Sequence, residues 1–459
     1  MKILKFGGTS VGSAERMKEV ARLVTLNADK KIVVLSAMAG TTNTLVQIAE
    51  HLYSKKPSIR QLPDGPDGNN EADALINQLE DRYQNVVREL YDKAEFQQEG
   101  KELIDSHINY IRSFAKDLFT IHEERAILAQ GELITSALFQ LYLQTQNIVS
   151  VLLPALNFMR IDTNGEPDNY YIKENLNREL EKYPDLPYGQ ASKNLFITQG
   201  YICRNLYGEI DNLKRGGSDY TASLIGAAIN AEEIQIWTDI SGFHNNDPRF
   251  VKDTYSIPQL SFDEAAELAY FGAKILHPSS LLPAKLANIP VCLKNTMQPK
   301  DPGTLISNKA DGNGIKAIAA KDDITSIKIK SGRMLLAFGF LRKVFEVFER
   351  YKTSIDMITT SEVAVSVTID NTNYLKEIIE DLTYYGNVEV QQDQTIICIV
   401  GENIIEQKGY IDKVFEALKH FNIRMISYGG SRHNISILVN SIDKIEALNS
   451  LNELFNYVR

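Results

Sequence analysis

The chain has 459 residues and a net charge of −10, with 44% hydrophobic and 24% charged residues. The length exceeds one ordinary core and predicts two to three domains, and the apolar fraction excludes a disordered chain. The acidic balance excludes a broad basic surface for nucleic acid or anionic lipid, so an anionic substrate must meet a local basic pocket. Cys203, Cys292 and Cys398 lie far apart and form no CxxC, which reads as three reduced core thiols rather than a metal knuckle or disulfide framework. The N-terminal MKILKFGGTS holds only a short apolar stretch, and no segment reads as a membrane span, so no membrane partner is expected and the cytoplasm is the expected location.

The first fifty residues read strand, glycine turn, helix, twice over, the pattern of a parallel sheet covered by helices. Ile3 to Phe6 lead into Gly7-Gly8, and Met17, Val20, Ala21 and Val24 recur at helical spacing behind Ser13, an N-cap residue. Ile32 to Leu35 repeat the arrangement with the turn SAMAGTTN, followed by the apolar face Leu45, Ile48, Ala49 and Leu52. Lys55 to Asn70 is rich in Pro, Gly and Asn and reads as an exposed loop, after which helical periodicity runs to Gln146. Strands return at Phe196 to Thr198, Ile234 to Trp237 and Pro290 to Lys294, each an apolar run beside Gly, Asp or Asn. Gln298 to Gly314 reads as a domain boundary.

Beyond the boundary the chain repeats at an offset of seventy, with Lys343-Val344-Phe345-Glu346 against Lys413-Val414-Phe415-Glu416. Val344, Val347, Phe348 and Tyr351 match Val414, Ala417, Leu418 and Phe421 at helical spacing. Alternating Val365, Val367 and Ile369 match Ile435, Ile437 and Val439 as half-buried strands. Two copies of a small α+β unit are implied.

Three loops join glycine to hydroxyl or charged residues after a strand, where backbone N–H groups at a helix start can meet a phosphate or carboxylate. GxxxxGK[ST] is absent, GGTSVG is not GxGxxG, and neither HRD nor DFG occurs, which weakens the P-loop, Rossmann and protein-kinase readings. A Gly-Gly turn alone is commonly no more than a tight connection. Here Lys5 ends the strand beside that turn, and KFGGTSVGS resembles the opening signature of aspartate kinases in the amino acid kinase family. SAMAGTTN, GELIT, KRGGSDYTA, WTDISGFHNNDPR and FGAKILHP follow in the family's order, so the resemblance spans Met1 to about Leu305.

The resemblance implies phosphorylation of the L-aspartate side-chain carboxylate to 4-phospho-L-aspartate, with ATP and Mg2+, at the start of lysine, threonine and methionine biosynthesis. Lys5 would face the transferred phosphoryl group, and Gly7 and Gly8 would let backbone approach it. Arg215 would grip a substrate carboxylate, Glu132 the ammonium, and Thr42 and Ser218 would add hydroxyl contacts. The acceptor carboxylate is already ionised and needs no general base, so Asp219 is assigned to organise Lys5 or the magnesium shell. Thr238, Asp239, Arg249 and Lys274 would surround ATP, with the metal on phosphates and waters and no direct protein ligand assigned. His244 stands where relatives carry tyrosine, which leaves a plain surface histidine as the competing reading; His277 before Pro278 reads as structural.

The C-terminal repeat resembles the paired ACT domains of these kinases. Met334, Gly339, Phe340, Leu341, Ser354, Asp356, Thr360, Ser361 and Glu362 resemble the lysine-binding set of lysine-inhibited members, which implies feedback inhibition by L-lysine and a homodimer through the ACT units. The expected architecture is α/β: a three-layer, mostly parallel kinase domain over 1–306, then ferredoxin-like ACT units over 307–394 and 395–459, with 315–330 open to the second unit as a strand. Another amino acid kinase, such as a glutamate kinase, and an inactive amino-acid sensor are the competing functions; the first disagrees with KFGGTS and the ACT pair, the second with intact Lys5, Arg215, Asp219 and Lys274.

Overall fold

The computed structural model describes residues 1–53, 70–114, 119–183, 194–214, 216–272, 275–309, 312, 314–332 and 338–457. The loop expected over Lys55 to Asn70 lies almost wholly outside them. The chain forms two compact units, one of Met1–Gly242 with Ser279–Asn308 and one of Phe243–Pro278 with Lys309–Arg459. Within the expected 1–306 segment, residues 243–278 form an excursion that belongs to the second compact unit.

In the first unit seven strands run in the order Val151–Leu153, Leu195–Gln199, Lys31–Leu35, Lys2–Phe6, Glu233–Thr238, Val291–Asn295, Thr304–Ser307. All neighbours are parallel except the last pair. Lys2–Phe6 and Lys31–Leu35 are buried almost throughout, as strands covered on both faces must be. The helix Ala14–Thr25 starts at Ser13, whose side chain accepts from Arg16 N–H, and it buries Met17, Val20, Ala21 and Val24. The helix Thr41–Tyr53 buries Leu45, Ile48, Ala49 and Leu52, the face its spacing predicts. Asn70–Leu90, Ala94–Ser113, Ile121–Leu128 and Gln130–Thr145 supply the helical region. Contrary to the sequence reading, the stretch Ile121–Thr145 is long and apolar enough to cross a membrane; most of it packs inside the unit as core.

The second unit is built on a six-stranded sheet in the order Ile358–Thr360, Ala364–Ile369, Gly314–Lys330, Asn387–Glu402, Asn434–Asn440, Met425–Tyr428. Its two long central strands pair with each other and shift register between Lys321 and Ile324, where Asp323 takes φ 61°. Past that bulge the ladder serves the first repeat, whose core joins Ile327, Val344, Val347, Phe348, Val365, Val367 and Ile369. Before it, Ile315 and Ile318 share a core with Ile397, Val414, Leu418, Ile435, Ile437 and Val439 of the second repeat. The helices Phe340–Arg350 and Tyr410–Ala417 occupy matching places, each opened by a left-handed glycine, Gly339 at φ 77° and Gly409 at φ 88°.

Candidate active site

The carboxyl ends of Lys2–Phe6, Lys31–Leu35 and Leu195–Gln199 open into a cavity of about 320 Å³, lined by Gly8, residues 36–40, Thr42, Asn43, Glu132, Tyr201, Gly217 and Ser218. This is where open parallel sheets present ligand sites, since chain turns and helix starts converge there. Three predicted substrate residues, Thr42, Glu132 and Ser218, meet on this one cavity.

Lys5 is buried at the end of its strand, and its Nζ lies 2.7 Å from Asp219 Oδ1. Asp219 sits in the first turn of the helix Gly217–Ile229, which Gly216 opens at φ 68°. The glycine turn holds close quarters: Gly7 N–H donates to Trp237 O at 3.1 Å, and Ala39 N–H donates to Gly8 O at 3.0 Å. A Cβ on Gly8 would stand 2.8 Å from Ala37 O, so this position has room only for hydrogen. A Cβ on Gly7 would stand 3.5 Å from Lys5 Nζ, which places the turn beside the ammonium.

Glu132 enters from the helix Gln130–Thr145 and is 3% exposed. Burial pushes its carboxyl up to about 8, against the opposing pull of the Ala37 N–H and of the Lys5 charge. Its Oε2 has no hydrogen-bond partner in the protein. A buried acid left unpaired on a cavity wall is costly alone and favourable once an ammonium reaches it.

Tyr201 was not singled out from the sequence. It adopts φ 66°, its N–H donates to Thr221 Oγ1 at 3.0 Å, and its ring would meet any Cβ added to Gly217 at 2.4 Å. The Gly200-Tyr201 turn and Gly216-Gly217-Ser218 thus interlock to form one wall, a long-range fit with no local sequence mark.

Thr238 and Asp239 follow the strand Glu233–Thr238, which pairs with Lys2–Phe6 so that Phe6 stands opposite Trp237; Thr238 Oγ1 donates to Asp239 Oδ1 at 3.1 Å. Arg249 belongs to the second unit, where Asp247 takes its guanidinium at 3.0 and 2.6 Å. Arg215, Lys274 and Met334 lie outside the described residues. His244 is half-buried with Nδ1 unpaired, and burial lowers its pKa, so it is not a plain surface histidine. Its neighbours Asn245 and Asn246, within the WTDISGFHNNDPR motif, are buried. The Asn246 amide donates to Leu448 O at 3.1 Å and Asn452 Oδ1 at 3.2 Å, fastening the excursion to the helix Lys444–Asn452.

In the second unit Gly339 caps the first repeat's helix, Phe340 is buried within it and Leu341 is partly exposed. The Asp356 side chain is fully enclosed, whereas Ser354, Thr360, Ser361 and Glu362 are exposed; Ser361 N–H donates to Ala364 O at 2.8 Å. At the offset of seventy the second repeat carries Ile426 for Asp356 and Arg432 for Glu362, which removes both acids from the matching place.

Residues 1–295 match the amino acid kinase family, and residues 397–455 match the ACT domain. Lysine-sensitive aspartokinase 3 of Escherichia coli is 34% identical over 466 residues, covering 98% of each chain. The chain belongs to the aspartokinases. Its enzyme class is therefore aspartate kinase, with an ACT regulatory part. Aspartokinase 2, chloroplastic, of Arabidopsis thaliana is 33% identical over 99% of this chain and 84% of its own. The crystal structure of E. coli aspartokinase III in complex with aspartate and ADP is similar with a TM-score of 0.81 and 32% identity over 99% of both chains. The structure of the same enzyme in complex with lysine and aspartate gives a TM-score of 0.79 at 32% identity over the same share of both chains.

Proposed function

We propose that the cavity at the carboxyl edge of the first sheet binds L-aspartate and that Lys5, held by Asp219, faces the phosphoryl group moved from ATP onto the side-chain carboxylate. The observation that carries this reading is Glu132, an enclosed acid with a free oxygen on the wall that Thr42 and Ser218 also line. Its unpaired oxygen suits the substrate ammonium, and Arg215 is assigned to a carboxylate. The aspartokinase relationship, including the relative solved with aspartate and ADP, supports the choice of substrates.

The Gly7-Gly8 turn fits a phosphate, since Gly8 has no space for a side chain and Lys5 stands beside it. Magnesium, when bound on the nucleotide phosphates, supplies charge neutralisation in the loose transition state. The chain's own part is to hold Lys5 by Asp219, to orient the aspartate and to keep the acceptor carboxylate ionised; no proton need leave it. Thr238 and Asp239 are assigned to the nucleoside end, and Arg249 and Lys274 to its phosphates.

The first ACT repeat is the proposed L-lysine sensor, since Asp356 and Glu362 offer acids to a cation where the second repeat has Ile426 and Arg432. The lysine-sensitive relative supports the same ligand. Phe338, Leu341 and Phe345 expose apolar surface at the start of that repeat's helix, which suits a homodimer through the ACT units; light scattering after size exclusion tests it.

Trapping acyl phosphate as its hydroxamate, with ATP, magnesium and either L-aspartate or L-glutamate, tests the reaction. Product with aspartate, lost in Lys5→Ala, fits the proposal. Product with glutamate alone points to another amino acid kinase, and none with either points to an inactive sensor.

A further inference from the structure

The enclosed Asp356 is already partnered from within the chain. Its Oδ1 accepts from Lys321 Nζ at 2.7 Å and from the Tyr270 hydroxyl at 2.7 Å. The Asp356 side chain is 0% exposed, and its Oδ2 is buried with no hydrogen-bond partner. Lys321 Nζ also lies 2.9 Å from Asp370 Oδ2, on a side chain that is 39% exposed. Lys321 therefore stands between two carboxylates, one sealed and one open to water, with its ammonium 4.5 Å from the centre of the Tyr270 ring.

Two acids thus share one ammonium, and the sealed acid retains an unused oxygen. A second cation entering here would complete the charge balance, but Lys321 and the Tyr270 hydroxyl already occupy Oδ1 of an acid whose side chain is closed to solvent, so Lys321 has to give way first. Lys321 has somewhere to go, because Asp370 can keep it paired in water-accessible space. Its strand is irregular just beyond it, where the register shifts between Lys321 and Ile324.

We propose that Lys321 is a tethered cation standing in for the effector's ammonium at Asp356, and that an amino-acid effector binds by exchange, Lys321 retreating onto Asp370. The inference rests on reading Asp356 as an effector contact. Exchange makes Lys321 a built-in competitor: the apparent affinity for the effector is lowered by the fraction of molecules in which Lys321 holds Asp356. Tyr270, on the helix Phe262–Tyr270, shares that oxygen, so the exchange is felt by the excursion that also carries Arg249.

Calorimetric titration of L-lysine into the full-length wild type, Lys321→Met and Asp370→Asn tests the exchange. Lys321→Met removes the competitor and is expected to tighten binding by about tenfold, the worth of roughly one charge-assisted hydrogen bond. Asp370→Asn removes the retreat and is expected to weaken it several-fold. General damage to the fold would weaken both, so opposite signs support the exchange, and unchanged or equally weakened binding overturns it. If Lys321→Met does not fold, Lys321→Gln takes its place: tighter binding supports the exchange, and unchanged or weaker binding overturns it. Wild type that takes up no L-lysine overturns the effector reading and the exchange with it.

Discussion

Lys5 Nζ and Asp219 Oδ1 stand 2.7 Å apart, one at the end of the first strand and the other in the first turn of the helix Gly217–Ile229, 214 residues later in the chain. The pair holds the cation on the glycine turn, where a transferred phosphoryl group would need it. Lys5→Ala is expected to lower kcat by about two to three orders of magnitude, the usual cost of losing a preorganised charge at a developing anion. Asp219→Asn keeps the shape and frees the ammonium, so kcat should fall with a smaller change in the KM for aspartate. Steady-state kinetics of both variants check this.

Glu132 predicts a pH signature of its own. Its carboxyl rises from 4.5 to about 8 in the fold, so between those values the folded chain keeps a proton that the unfolded chain releases. The stability it contributes is complete below about pH 4.5 and is lost as the pH rises through about 8. Melting curves of the free enzyme should show this decline, and Glu132→Gln should flatten it. Uptake of the aspartate ammonium favours the ionised acid, so binding near neutral pH should release a proton, visible as a dependence of binding heat on the buffer's ionisation enthalpy.

Gly8→Ala places a methyl 2.8 Å from the backbone oxygen of Ala37, a neighbour that cannot step aside cheaply. The variant is expected to fold and to lose most of its activity through a weaker hold on ATP. A comparison of nucleotide affinity and melting temperature separates that outcome from collapse.

Asn246→Ala should destabilise the second unit by about 1–3 kcal/mol, because it strips partners from Leu448 O and Asn452 Oδ1 in a buried place. Calorimetric unfolding is the check, with an earlier transition expected.

Much of this arrangement was legible in the chain. The Lys5-Phe6-Gly7-Gly8 run, the Ser13 cap and the apolar spacing of the helix Ala14–Thr25 are local patterns, and the seventy-residue repeat carries its own register. What escaped depends on distance. Asn246 reaches Leu448 across 202 residues, so its part in fastening residues 243–278 to the C-terminal helix has no local mark. Tyr201 becomes a cavity wall only because the sheet brings its left-handed turn against Gly217. Asp356 read as one of the acids of a ligand site, and its pairing with Lys321 and Tyr270, residues 35 and 86 positions away, has no local sequence mark.

The assignment of the cavity to L-aspartate stands or falls on Glu132. Initial hydroxamate rates over a range of L-aspartate, at saturating ATP and magnesium, should give Glu132→Gln a KM for aspartate raised at least about tenfold, with the KM for ATP near that of the wild type. An unchanged KM for aspartate in a folded, active Glu132→Gln enzyme would contradict it.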